Sequence, residues 1–169
     1  IPFFVFAGEL MLYGGIAERI VKFANSLVGH VRGGLGMSNV LGCTIFGGIA
    51  GSPLADVSAI GAMLTPPMLR AGYKPEHAVS LVASATAMGI LVPPCILMIV
   101  IGSIAGLSVA ALFAAGFIPA VVISLALMAY IYVLAGRAGI AVSPRPRLRE
   151  LGAVIGRALV PLGMPAIIF

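Results

Sequence analysis

The stretch from Phe46 to Gly61, FGGIAGSPLADVSAIG, sets glycines, a proline, two serines and one aspartate inside an otherwise apolar region. Gly47, Gly48 and Gly51 allow close backbone approach and positive φ. Pro53 removes a backbone donor and prevents a helix from running unbroken through the middle. The chain must break here. Asp56 is then a lone ionisable group about midway between the basic residues Arg32 and Arg70, with hydrocarbon-like sequence on both sides. A carboxylate in such a place needs a partner, a cavity or a proton.

With 61% hydrophobic and 9% charged residues, the chain has too little polar sequence to coat a water-soluble domain of 169 residues. An all-α integral membrane protein is expected, a polytopic helical bundle in a lipid bilayer. The ten Lys and Arg sit between apolar spans rather than clustering on a polar surface, which points to topology and against a nucleic-acid partner. Cys43 and Cys95 lie alone in apolar segments, with neither a second thiol nor a histidine at metal-ligand spacing, so no zinc site or disulfide is expected. An opening at Ile1-Pro2 and an end inside an apolar run read as an internal piece of a longer protein.

Residues 1–36 are expected to hold the end of a spanning helix carrying Glu9, and then an amphipathic helix lying along the interface. In that helix Ile16, Ile20, Phe23, Ala24 and Leu27 oppose Glu18, Arg19, Lys22, Asn25 and Ser26. Gly29 to Gly36 reads as a flexible turn. Within 37–69, the segments 37–50 and 54–69 would each make a helix of roughly 21 to 24 Å, short of the ~30 Å hydrocarbon core. Their lengths suit a re-entrant hairpin or two tilted spanning helices. The tip, GSPLAD, favours the hairpin, because irregular backbone at depth is tolerated only where it lines a cavity or is buried in protein.

Residues 75–104 read as a long apolar helix broken at Pro93-Pro94, where two donors are lost and helix is disfavoured at Val92. Residues 109–135 give an uninterrupted apolar run long enough to span with tilt. A polar loop follows over 136–150, and 151–169 starts a further helix. A hairpin entering and leaving on one face puts every Lys and Arg on that side, with the uncharged loop 102–108 opposite, so the charged side is cytoplasmic.

Two broken segments with small polar residues at the breaks are the sequence pointer to a transporter site built from half-helices. Gly51, Ser52 and Asp56 at one break, with Ser84, Thr86, Gly89, Pro93 and Pro94 at the other, supply the oxygens and free helix ends that a hard cation such as Na⁺ wants. Ser52, Asp56 and Thr86 are the side-chain candidates, and a carboxylated solute would sit beside the ion. Duller roles stand beside these. Asp56 can cap the second hairpin helix; Ser52 and Ser58 can bond within their own helices; Gly102 and Gly106 suit a packing face. No phosphate-cradling loop, His-Glu-x-x-His or nucleophile elbow is present, so an enzyme is not expected, nor any cofactor.

The runs GIAGSPLAD, MLRAGY and VPP, within a match along nearly all of the chain, resemble the large membrane subunit of the tripartite ATP-independent periplasmic (TRAP) transporters, the DctM-like family. The resemblance implies the first inverted repeat of an elevator-type carrier in a bacterial inner membrane. It further implies Na⁺-driven uptake of an organic acid such as a C4-dicarboxylate or sialic acid, a periplasmic binding protein that delivers it, and a small membrane (DctQ-like) subunit alongside. It places Gly51, Ser52 and Asp56 at the hairpin tip and Ser84 to Pro94 in the unwound stretch. Ile90, Cys95 and Leu97 stand where such proteins commonly carry proline, serine and proline, and Ala85 and Ala87 where hydroxyls are common, which leaves backbone carbonyls as donors there. A two-component di- or tricarboxylate–Na⁺ symporter without a binding protein, and a membrane scaffold that carries nothing, are the competing expectations.

Overall fold

In the computed structural model, residues 14–138 are described, and every regular element among them is helical. The expected helix carrying Glu9, the loop beyond residue 138 and the segment 151–169 lie outside the described residues. Helix α1 covers Ile16–Val28, and α2 covers Gly34–Ala50. A second arm follows as α3 (Pro53–Asp56), a π-helical segment at Val57–Gly61, and α4 (Ala62–Arg70). After a turn come α5 (Pro75–Thr86), the short α6 (Met88–Leu91), α7 (Ile96–Ala105) and the long α8 (Val109–Ala138).

The breaks fall where Gly and Pro dictate them. Helix α2 ends at Gly51, whose φ of 58° is left-handed and whose N–H donates to the Gly47 carbonyl at 2.8 Å. Only glycine holds that conformation without cost. Ser52 is extended, and Pro53 then opens the second arm with its ring preset for the first helical position. Further along, Val92 is extended (ψ 122°) because the ring of Pro93 excludes the helical region from the residue before it. The axes on either side of this second break, Pro75–Leu91 and Ile96–Ala105, meet at 41°.

Two boundaries differ from expectation. Gly34, Leu35 and Gly36 belong to α2 instead of a flexible turn, because Gly33 (φ 74°) turns the chain and bare backbone here meets α8. A Cβ on Gly33 would lie 2.8 Å from the Ala135 Cβ and 2.9 Å from Ile131 Cγ2, and one on Gly36 would lie 3.0 Å from the same Ile131 atom. Helix α8 also continues through Gly136 and Arg137 to Ala138, instead of giving way to a loop at 136. Alanine and arginine sustain a helix well, and no proline intervenes before Pro144.

The helix at Ile16–Val28, expected to be amphipathic, packs one edge on α2. Ala17, Ile20 and Ala24 are buried, the first two in the same apolar core as Val40, Cys43 and Phe46 of α2, so protein rather than lipid covers that edge. The link is polar as well: the Ser38 hydroxyl donates to Asn25 Oδ1 at 3.3 Å. Glu18, Arg19 and Lys22 remain exposed, and Lys22 Nζ sits 2.5 Å from Glu18 Oε1, holding that carboxyl below its ordinary range. One turn of helix separates the two charges.

The core sits between α2, the second arm and α5, and is closed by Ile131 of α8. Much of α7 and α8 is apolar and exposed, Ile104 at 83% and Ile118 at 69% being the extremes. Val109–Gly136 is long and apolar enough to cross a membrane, with a mean hydropathy of 2.4, and the bent pair α5–α6 plus α7 passes the same test if it counts as one span.

Candidate functional site

The two breaks, separated by some forty residues of sequence, are brought together, and glycines make the approach possible. A Cβ added to Gly47 would lie 2.7 Å from the Cα of Gly89, closer than real side chains come, so the two backbones touch at that crossing. A Cβ on Gly51 would lie 2.6 Å from the Pro94 carbonyl oxygen, and one on Gly48 would lie 3.3 Å from that of Pro93. The hairpin tip therefore rests on the Pro93 and Pro94 carbonyls, which lie in the non-helical link between α6 and α7 and so have no helical donors.

Asp56 is at the centre of this crossing. Its relative exposure is 0%, and neither carboxylate oxygen has a hydrogen-bond partner. A side chain at Gly89 would collide with Oδ2, and one at Gly47 would come within 3.5 Å of it. Among the described residues the only ion pair is Lys22–Glu18, so no cation of the protein answers this carboxylate there. The capping role drops out: Asp56 is the last residue of α3, is itself helical, and bonds no backbone N–H. Ser52 holds the N-cap position without a side-chain cap bond, and is half-buried beside the tip.

The remaining sequence-derived residues divide. Gly89 and Pro93 are buried, and together with Pro94 they form the other wall of the crossing. Thr86 is buried at 4% exposure one turn before Gly89, with its hydroxyl donating to the Ala83 carbonyl at 2.9 Å. Ser84 is not brought in; it is exposed, and its hydroxyl donates to Ser80 O at 2.8 Å. Ser58 likewise bonds locally, to Ala55 O at 3.0 Å. Cys43 and Cys95 are buried free thiols.

Polar residues that no sequence motif marks tie the broken segments to each other and to α8. Asn39, fully buried in α2, donates from Nδ2 to the Leu81 carbonyl of α5 at 3.3 Å. Thr44 and Ser124 share a hydrogen bond at 3.2 Å between α2 and α8, and Ser124 Oγ also lies 3.2 Å from the Met88 sulfur at the second break. The signal for them is a lone amide or hydroxyl inside a long apolar run, where it has to find a partner.

The arrangement offers one buried carboxylate, two or more backbone carbonyls freed from helical bonding, and a wall of glycine with no room for a side chain. A buried carboxylate beside free carbonyls can take a cation or a proton. A family profile described as the DctM component of the tripartite ATP-independent periplasmic transporter matches residues 1–169. Among curated proteins, the ectoine/5-hydroxyectoine TRAP transporter large permease protein of Ruegeria pomeroyi is 40% identical over 168 residues, which is 99% of this chain and 39% of that protein. The C4-dicarboxylate TRAP transporter large permease protein of Pseudomonas aeruginosa matches with the same identity and coverage. The sialic acid TRAP transporter permease protein of Haemophilus influenzae is 44% identical over 151 residues, or 89% of this chain and 24% of that protein. The chain thus spans about two fifths of the length of the first two relatives. A profile match over its whole length and relatives at this identity place the chain in the DctM component family of the tripartite ATP-independent periplasmic transporters.

Proposed function

We propose that the parent protein is the large permease subunit of a cation-coupled secondary transporter, and that the crossing at Asp56 is its coupling-ion site. The observation that carries this reading is the buried carboxylate with no donor on either oxygen. Leaving such a charge unanswered is costly, so it must be balanced by a cation or a proton. Na⁺ suits the donors present: the carboxylate, the Ser52 hydroxyl, the carbonyls around Pro93-Pro94 and, if its hydroxyl turns, Thr86. Gly51 and Gly89 contribute shape, and Ser84 contributes only if its helix rotates. No cofactor takes part.

The solute in this reading is an organic acid received from a periplasmic binding protein, with a small membrane subunit alongside, in a bacterial inner membrane. Relatives at closely similar identity are named for ectoines, C4-dicarboxylates and sialic acid, so the solute is set outside the features common to them. The broken-helix crossing of this chain is the part a coupling ion would use. An elevator movement of this first repeat against a scaffold supplies alternating access, and it is driven because solute and ion bind together.

The test is uptake of labelled organic acids into proteoliposomes that contain the full-length parent, its small subunit and its binding protein, with and without an inward Na⁺ gradient. Uptake requiring both the gradient and the binding protein supports the reading. Uptake without the binding protein moves the assignment to a two-component symporter. Gradient-independent behaviour for every acid tried leaves the crossing as architecture.

A further inference from the structure

Along the second hairpin arm, the π-helical segment and α4 run beside α5 and leave an open groove of about 280 Å³. Val57, Ala62, Thr65, Val79, Val82 and Ala83 line it. The lining offers no hydrogen bond. Thr65 is its only polar side chain, and the hydroxyl is turned away to the Gly61 carbonyl at 2.6 Å. Gly61 lets α5 come close, since a Cβ there would lie 2.7 Å from Val82 Cγ1, and Ala62 and Ala83 keep the groove open on its outer side.

The turn that closes these two helices carries Arg70 and Lys74, both exposed and neither in an ion pair among the described residues. Arg70 lies five residues past Thr65, and Lys74 five residues before Val79. At ~1.5 Å per helical residue, both cations are about 7–8 Å beyond the end of the groove, within reach of flexible side chains that extend toward a headgroup. Glu76 stands at the same turn and offsets one of the two charges, leaving an excess of one positive charge at the mouth.

From this arrangement we infer that the groove holds one acyl chain of an anionic phospholipid, with the lipid phosphate at Arg70 and Lys74. A hydrocarbon trough with two cations beyond its end matches an amphiphile with a negative head. An apolar protein helix would match the trough alone. The phosphate also falls on the side to which the positive-inside pattern assigns the cytoplasmic leaflet. The groove begins at Val57, next in sequence to Asp56, but the fully buried Asp56 is not part of its lining, and the inference holds whether or not the transport reading does.

The experiment uses the full-length parent purified in mild detergent, with bound lipid identified by mass spectrometry. Delipidated protein is then titrated with phosphatidylglycerol or phosphatidylethanolamine. Ala83→Phe fills the groove; Arg70→Gln with Lys74→Gln removes the cationic mouth and leaves the fold's core untouched. The expected result is retained anionic lipid in the wild type, lost in both variants, with phosphatidylglycerol rebinding in preference to phosphatidylethanolamine. Retention in Ala83→Phe overturns the groove as the site. Equal rebinding of the two lipids, or no effect of the double charge variant, overturns the headgroup assignment. A wild type with no bound lipid that takes up neither probe shows the groove covered by other protein and overturns the inference. Should Ala83→Phe fail to fold, the charge variant and the two-lipid comparison still decide.

Discussion

At the scale of single residues, the weight falls on Asp56 and the glycines around it. Gly89→Ala puts a methyl into Asp56 Oδ2, which the crossing can absorb only by moving the carboxylate or parting the two breaks. Ion-dependent uptake should be lost while membrane insertion is retained, as read by uptake alongside quantitation of the inserted protein. Gly51→Ala adds two penalties: about 1–2 kcal/mol for a side chain in the left-handed region, and contact with the Pro94 carbonyl. Thermal unfolding in detergent should register a destabilisation of at least the first amount. The same substitution at Gly72, also at positive φ but with nothing near its Cβ, should register the conformational cost alone. The difference between the two variants isolates the packing of tip on break.

At the scale of elements, the two helix breaks are legible in the sequence because Gly and Pro act locally. The break at Gly51-Ser52-Pro53 follows from the two residues that flank it, and the extended Val92 follows from Pro93. Mutual placement is not legible. Nothing local says that Gly47 meets Gly89, or that Ser124 in a featureless apolar helix reaches Thr44 and Met88. The turn at Gly29–Gly36 misleads for the same reason: glycines that look like flexibility serve in part as contact surface for Ile131 and Ala135. Gly33→Ala should therefore cost more than a loop substitution, about 1–3 kcal/mol from overpacking in addition to backbone strain, checked by thermal unfolding. Asn39→Leu keeps the branched outline but removes the amide that ties α2 to α5, and a loss of about 1 kcal/mol or more is expected in the same assay.

At the scale of the whole molecule, the described turns differ sharply in charge. The turn after α4 holds Arg70 and Lys74, while the α7–α8 turn at Gly106–Ser108 is uncharged. The order of residues alone makes this polarity visible, since the rule depends only on where Lys and Arg stand relative to apolar runs. Single cysteines at Lys74 and Ser108, in a background lacking Cys43 and Cys95, should be labelled by impermeant thiol reagents from opposite sides of the membrane, Ser108 from the outside in intact spheroplasts. Labelling of both from one side would contradict the topology. The exposed apolar flank of α7 and α8 makes the same point in structural terms, because Ile104, Ile118 and Leu125 have no protein cover among the described residues.

The proposed coupling site at the crossing is tested most directly by thermal unfolding of the purified parent across a NaCl series held at constant ionic strength with choline chloride. A ligand that binds only the folded state stabilises it by RT ln(1 + [L]/Kd), about 2.7 kcal/mol at a hundred times Kd. The wild type should show a melting temperature that climbs with Na⁺. Asp56→Asn, which has no buried charge to balance, should start higher without Na⁺ and stay flat. A wild type indifferent to Na⁺, or an Asp56→Asn variant that climbs in parallel with it, would contradict the assignment of Asp56 as the residue that holds the coupling ion.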